Sequence, residues 1–267
     1  MDFITIIGIL IGIAAVVGGF LWEGGHMGGL LQVTAALIVF GGTAAAVMVS
    51  FSPAKLKTIP KALAFAFRSR RHDSEALIED ISNMASISRR SGLLALERQG
   101  EAHTDPFLRE GVQLVVDGTD QPLVKEIMEL EIDAHESRWE GFAKIFEAAG
   151  GYAPTMGIIG TVMGLIHVLG SLQEPTDLGP SIALAFTATL YGVASANLIF
   201  LPIASKIKSR SEEEVQRMEM ITLGVLSLQN GDHPLLLRKK LESFAAGPRE
   251  ADKPDRRRLD QEAEDSL

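Results

Sequence analysis

No Lys or Arg occurs before Lys55, and none lies between Lys144 and Lys206. All 25 basic residues of this 267-residue chain fall in two windows, Lys55–Lys144 and Lys206–Arg258. A soluble fold scatters charge over its whole surface, because it has too little buried volume to hide such stretches. Two long charge-poor blocks therefore read as membrane-embedded. The formal net charge of −9 sits almost wholly on the charged segments and says little about partners. Cysteine is absent, which excludes a disulfide framework and a thiolate metal site. No basic stripe interleaved with aromatics occurs, so nucleic acid is not an expected partner.

The first block holds two spans. Phe3–Leu21 is apolar apart from Thr5 and the glycines, and roughly 20 such residues at about 1.5 Å rise cross a hydrocarbon core of about 30 Å. A signal peptide would carry a basic n-region, whereas Met1-Asp2 is acidic. Gly29–Phe51 is the second span, Ala148–Leu172 the third and Ser181–Ser205 the fourth. The hairpins Trp22–Gly28 and Gln173–Pro180 contain Glu23, Glu174 and Asp177 but no basic residue. Basic residues follow the second span (Lys55, Lys57, Lys61, Arg68, Arg70, Arg71) and the fourth (Lys206, Lys208, Arg210). Positive charge near span ends stays cytoplasmic, so both termini are expected inside.

The expected architecture is an all-α membrane protein with a large helical cytoplasmic domain between spans 2 and 3. Residues 1–51 form the first two transmembrane helices and 52–147 the cytoplasmic domain. Residues 148–205 form the last two spans, and 206–267 a cytoplasmic helix and tail. Within the cytoplasmic part, Ser74–Arg90 has helical periodicity, with Asp73 or Ser74 as its cap, and Gly92 breaks it. Pro106–Val116 is closed by Asp117-Gly118, and a long helix from Pro122 has no breaker before Gly141. Glu126, Glu129, Asp133, Glu136 and Glu140 on that helix invite an acid–base or metal reading, but their spacing is that of a solvated face, the favoured reading. Gly247–Leu267 is charged and poor in apolar residues, and is expected to be disordered.

Catalytic signatures are missing. The histidines (His26, His72, His103, His135, His167, His233) form no HExxH and no pair at helical ligand spacing. No phosphate-cradling GxxxxGK[ST] and no GxSxG elbow occurs. His167, near the outer end of the third span, is a functional candidate as an intramembrane ionisable residue, though at that depth a neutral histidine satisfied by water is the favoured reading. The spans carry no Asp, Glu, Lys or Arg at mid-depth, yet an ion pathway through lipid usually needs an ionisable group. They offer hydroxyls instead: Thr155, Thr161, Thr187 and Thr189. These either line a cation path, whose carboxylate must then come from a second protein, or bond back to their own helix carbonyls. Gly8/Gly12 and Gly160/Gly164 put small residues on one helix face, for packing within a subunit or between subunits. Pro154 and Pro202 each remove a backbone hydrogen bond near the cytoplasmic side, giving either hinges or static kinks.

Several strings give the chain a relation. SRRSGLLALE (Ser88–Glu97), DPFLREGVQLVVDG (Asp105–Gly118), PTMGIIGTVMGLIHVLG (Pro154–Gly170) and ATLYGVASANLIFLPIA (Ala188–Ala204), with the order of spans, resemble the MotA family of flagellar motor stators. ExbB and TolQ energisers of outer-membrane transport are more distant relatives and the alternative reading. A passive membrane scaffold is a third. The MotA resemblance implies a cation-conducting stator subunit and not an enzyme. It implies a homo-pentamer around a dimer of a MotB-type single-span protein, which carries the ion-binding aspartate. Arg89 and Glu97 match residues that engage the rotor protein FliG, and Pro154 and Pro202 match prolines linked to the conformational step. Thr161 and Thr189 match threonines that the sodium-driven branch, PomA and MotP, keeps in its channel helices. Position 188 is Ala where that branch often has another Thr. No cofactor is implied beyond the transported cation, sodium ahead of proton. The expected location is the inner (plasma) membrane.

Overall fold

The computed structural model describes residues 3–67, 74–170 and 175–246. Among the described residues every regular element is helical. Four helices are long and apolar enough to cross a membrane: Ile4–Trp22, Met27–Ser50, Gln121–Gly170 and Ser181–Gln229. The chain is an all-α, multi-pass membrane protein. The expectations for Met1-Asp2, Arg68, Arg70, Arg71, Asp73, Gln173-Glu174 and the tail Gly247–Leu267 lie outside the described residues.

The chain forms two compact units, Met1–Arg70 with His135–Glu213, and Arg71–Ala134 with Glu214–Leu267. Their boundaries fall inside the segments assigned by sequence to the cytoplasm. One reason is that helix Ile59–Phe67 buries Ala62 and Ala66 against Phe146, Ile203 and Ile207, beside the ends of the third and fourth spans. Phe65 stacks on Trp139 at 3.6 Å between ring centroids, and Lys208 pairs with Glu147 at 2.6 Å.

In the membrane unit, Phe3–Trp22 is one unbroken helix with no buried residue in its apolar window. Ile4 is 82% exposed and Leu10 60%. Such a surface needs lipid or another protein around it rather than water. The third and fourth spans approach closely. A Cβ at Gly160 would lie 2.5 Å from Ala188 Cβ, and one at Gly164 2.8 Å from Ala185 Cβ. A Cβ at Gly192 would lie 2.5 Å from the carbonyl oxygen of Ala153. The Gly160/Gly164 pair thus packs within one chain. Gly12 faces Leu198, while Gly8 faces open space.

Three features depart from the uniform spans expected from hydropathy. The second span is interrupted at Leu31-Gln32, between helices Met27–Leu30 and Val33–Ala36. Two turns widen to π geometry, Leu37–Gly41 and Ala196–Phe200. The second of these ends just before Pro202, and Leu201 N–H bonds the carbonyl of Ala196, five residues back. The ladder therefore shifts register where a proline with no N–H must be fitted, which relieves the clash of its ring with the preceding turn. The helix of the fourth span also begins at Pro175, earlier than Ser181, with proline in its favoured first position.

The other unit is built from helices Ser74–Ser91, Pro106–Val116 and Pro234–Ala245 against parts of the two long helices. Leu77, Ile81, Met84, Leu108, Val112, Met128, Ile221, Val225, Leu237 and Leu241 form its core. Gly92 and Gly118 end their helices with φ of 83° and 77°, a backbone region that glycine enters without steric cost. The long helix expected from Pro122 runs from Gln121 to Gly170, with Pro154 inside it.

Candidate functional site: paired hydroxyls in the membrane spans

The close seam between the third and fourth spans sets the geometry of the threonines. With Gly157, Gly160 and Gly164 presenting almost no side chain, the backbones come near enough for Thr161 and Thr189 to meet, hydroxyl to hydroxyl. Thr161 Oγ1 also lies 3.1 Å from the carbonyl of Gly157 on its own helix and 3.1 Å from that of Ala185 across the seam. A hydroxyl has one proton and two lone pairs. The two protons of the pair therefore serve among three acceptors, and one hydroxyl oxygen always has a lone pair to offer. The two readings of the threonines coexist at Thr161, which bonds its own helix and also faces its neighbour.

The other two hydroxyls go elsewhere. Thr155 donates to Tyr152 O at 2.7 Å, a bond within its own helix. Thr187 donates to Gly29 O of the second span at 3.2 Å. Tyr191, which sequence reading passed over, donates to Leu30 O and accepts from Gln32 N–H at 3.3 Å. A polar ring inside an apolar run, opposite a span containing Gln32, was the available signal. His167 is exposed on the third span. Pro154 lies against the fourth span, its Cα 3.1 Å from a Cβ placed on Gly192. Pro202 follows the π turn. The prolines are not in the threonine pair.

In the other unit, Arg89 occupies the last turn of Ser74–Ser91, and Glu97 opens Glu97–Ala102. Both side chains are exposed and neither makes an ion pair among the described residues. They flank a turn that carries Leu94, 72% exposed. Asp105 anchors the segment that follows. Its buried carboxylate accepts from Phe107 N–H at 2.8 Å and Leu108 N–H at 3.1 Å, capping Pro106–Val116, and pairs with Arg217. Glu126, Glu129, Asp133, Glu136 and Glu140 are all exposed, with Lys125–Glu129 at 3.5 Å and Lys144–Glu140 at 2.9 Å. Among the described residues no cluster of three metal-ligating side chains occurs. Although Glu131 is exposed, desolvation by the surrounding protein, and then the charge of Glu110, hold its carboxyl above its ordinary range. Burial, and then Arg138, push His135 down.

Fold and site together define a multi-pass membrane protein with an oxygen-bearing seam and, among the described residues, no Asp or Glu beside the paired threonines. The family described as "MotA/TolQ/ExbB proton channel family" matches residues 99–220, and "Motility protein A N-terminal" matches residues 6–92. Motility protein A of Bacillus subtilis is 36% identical over 242 residues, 90% of this chain and 90% of that protein. Chemotaxis protein PomA of Vibrio alginolyticus is 34% identical over 244 residues, 91% and 95% of the two chains. The structure of the flagellar MotAB stator complex from Bacillus subtilis superposes with a TM-score of 0.85 at 35% identity, covering 96% of this chain and 97% of that one. The chain belongs to the MotA/PomA family, a group of membrane ion-channel components and not of enzymes.

Proposed function

We propose that this chain is the stator subunit of a flagellar motor, conducting a cation together with a MotB-type single-span partner and turning ion flow into torque. The observation that carries the reading is the Thr161–Thr189 pair on a seam without a carboxylate. Hydroxyl oxygens replace part of a hard cation's hydration shell, but they do not supply its counter-charge. The partner's aspartate would supply it. Five copies of the chain around a partner dimer would present this seam repeatedly, and binding and release would turn the ring. Pro154 and Pro202 would pass that movement to the cytoplasmic unit, where exposed Arg89 and Glu97 would engage the rotor protein FliG through charge. The chain would sit in the inner membrane with both termini cytoplasmic, as its basic flanks favour.

Sodium is the favoured ion, because two neutral oxygens in contact suit a dehydrated metal cation. Proton is the second reading, favoured by the family description. The match at residues 6–92 supports the motility branch over an ExbB/TolQ-type energiser. The test is swimming speed against external sodium at fixed membrane potential. Saturable sodium dependence that Thr161→Val weakens is expected. A speed indifferent to sodium would overturn the choice of ion, and normal motility in a strain lacking the gene would overturn the function.

A further inference from the structure

The break in the second span is the least expected feature of the membrane unit. Leu31 and Gln32 leave helical geometry, with φ/ψ of −99°/84° and −116°/102°. Within a span, the backbone groups freed by such a break are tolerated only where protein or water satisfies them. Here one helix does so. Thr187 donates to Gly29 O at 3.2 Å, and Tyr191 donates to Leu30 O while accepting from Gln32 N–H at 3.3 Å. The Tyr191 ring is stacked on Phe40, at 5.9 Å between centroids and 26° between planes. Phe40 stands in the π turn Leu37–Gly41. Both irregularities of the second span therefore bear on one tyrosine.

Thr187 and Tyr191 are one helical turn apart and share a face. Thr189 lies about 200° round the helix from Thr187 at 3.6 residues per turn, and its hydroxyl meets Thr161. The fourth span is thus held on one side by hydroxyls bonded to a broken backbone, and on the other it turns the Thr189 hydroxyl toward the third span. Any rotation about its axis that moves Thr189 must also break the bonds of Tyr191.

We infer that Tyr191, assisted by Thr187, is a positioning residue of the ion pathway: its bonds to the break at Leu31-Gln32 fix the rotation of the fourth span and so hold Thr189 against Thr161. The inference rests on the proposed role of the threonine pair. Tyr191 does not touch the ion; it acts through Thr189. Without its hydroxyl, Leu30 O and Gln32 N–H lose their partner, the backbone drifts toward a continuous helix, and the fourth span loses its stop.

The test is a double-mutant cycle in cells carrying the complete stator with its partner. The readout is the half-saturating concentration of the driving cation, from swimming speed against external sodium, or against external pH where sodium has no effect. Tyr191→Phe is expected to raise that concentration several-fold, with a smaller change in speed at saturation, and Thr187→Val to shift it less in the same direction. In a Thr189→Val background, Tyr191→Phe should add little, because its route of action is already gone. An equal shift in both backgrounds, or no shift in the parent, would overturn the inference. If Tyr191→Phe fails to accumulate in membranes, Thr187→Val carries the same cycle at nearly constant volume, and additivity with Thr189→Val overturns it. A Thr189→Val variant with unaltered ion dependence would remove the reading beneath the inference, and the inference with it. A shift by Thr189→Val with Tyr191→Phe silent removes the inference alone.

Discussion

At the scale of single residues, the chain separates polar groups that are satisfied from those left available. Asp105 is fully engaged: two backbone N–H groups and a guanidinium take its lone pairs, so its charge is buried with its partners in place. Glu131 is the opposite case. Desolvation by the surrounding protein and the neighbouring Glu110 raise the pKa of this exposed residue, so folding favours its protonated form. The sign follows from linkage. A carboxyl whose folded pKa is raised contributes stability at low pH and loses it as pH rises through that value. Glu131→Gln should therefore raise the thermal midpoint of the detergent-solubilised protein at neutral pH. The difference should shrink toward zero as pH falls well below the ordinary carboxylate range, where the glutamate is protonated in the folded and unfolded chains alike. A gain of the same size at both pH values would show that charge is not the cause.

At the scale of elements, the seam between the third and fourth spans is a backbone contact made possible by missing side chains. A Cβ on Gly164 meets Cβ, Cα and N of Ala185 at 2.8–3.0 Å, and two of those atoms are backbone and have nowhere to go. Gly164→Val should therefore sharply reduce the protein recovered from membranes, whereas Gly170→Ala, with nothing within 4 Å, should leave it unchanged. An immunoblot of membrane fractions compares the two. This seam was half legible in the sequence: Gly160 and Gly164 at four-residue spacing announced a contact face but not whose face it met. Helices bounded by proline and glycine, such as Pro106–Val116, were legible to the residue, because a residue without an N–H and one free to take positive φ mark their own ends. The break at Leu31-Gln32 was not legible. Its stabilising partner is Tyr191, 159 residues from Gln32, and no local propensity encodes a bond at that separation. The pairing of Thr161 with Thr189 was half visible, as two hydroxyls in facing spans whose contact depended on the glycine seam.

At the scale of the whole molecule, the governing fact is where charge is absent. An ion leaving water for a membrane interior gives up hydration, and bare hydroxyl dipoles return only part of it. Two hydroxyls are far fewer oxygens than the rings that serve a neutral filter, so a fixed opposite charge is expected to supply the rest. No Asp or Glu stands at mid-depth in any span of this chain. The membrane potential supplies only about 2.3 kcal/mol per charge per 100 mV. That is too little to drive an uncompensated ion past so few neutral oxygens, yet enough to work a cycle in which a carboxylate is loaded and unloaded in turn. The purified chain alone, in liposomes under an imposed potential, should therefore show no selective cation conductance. Conductance should appear when the MotB-type partner is co-reconstituted, and vanish again when the partner's intramembrane aspartate is replaced by asparagine. That replacement keeps shape and hydrogen bonding while removing the charge, so it separates a missing wall from a missing anchor. Steady selective current through the chain on its own would mean that Thr161 and Thr189 suffice without a counter-charge, and the proposed division of labour between two proteins would have to be abandoned.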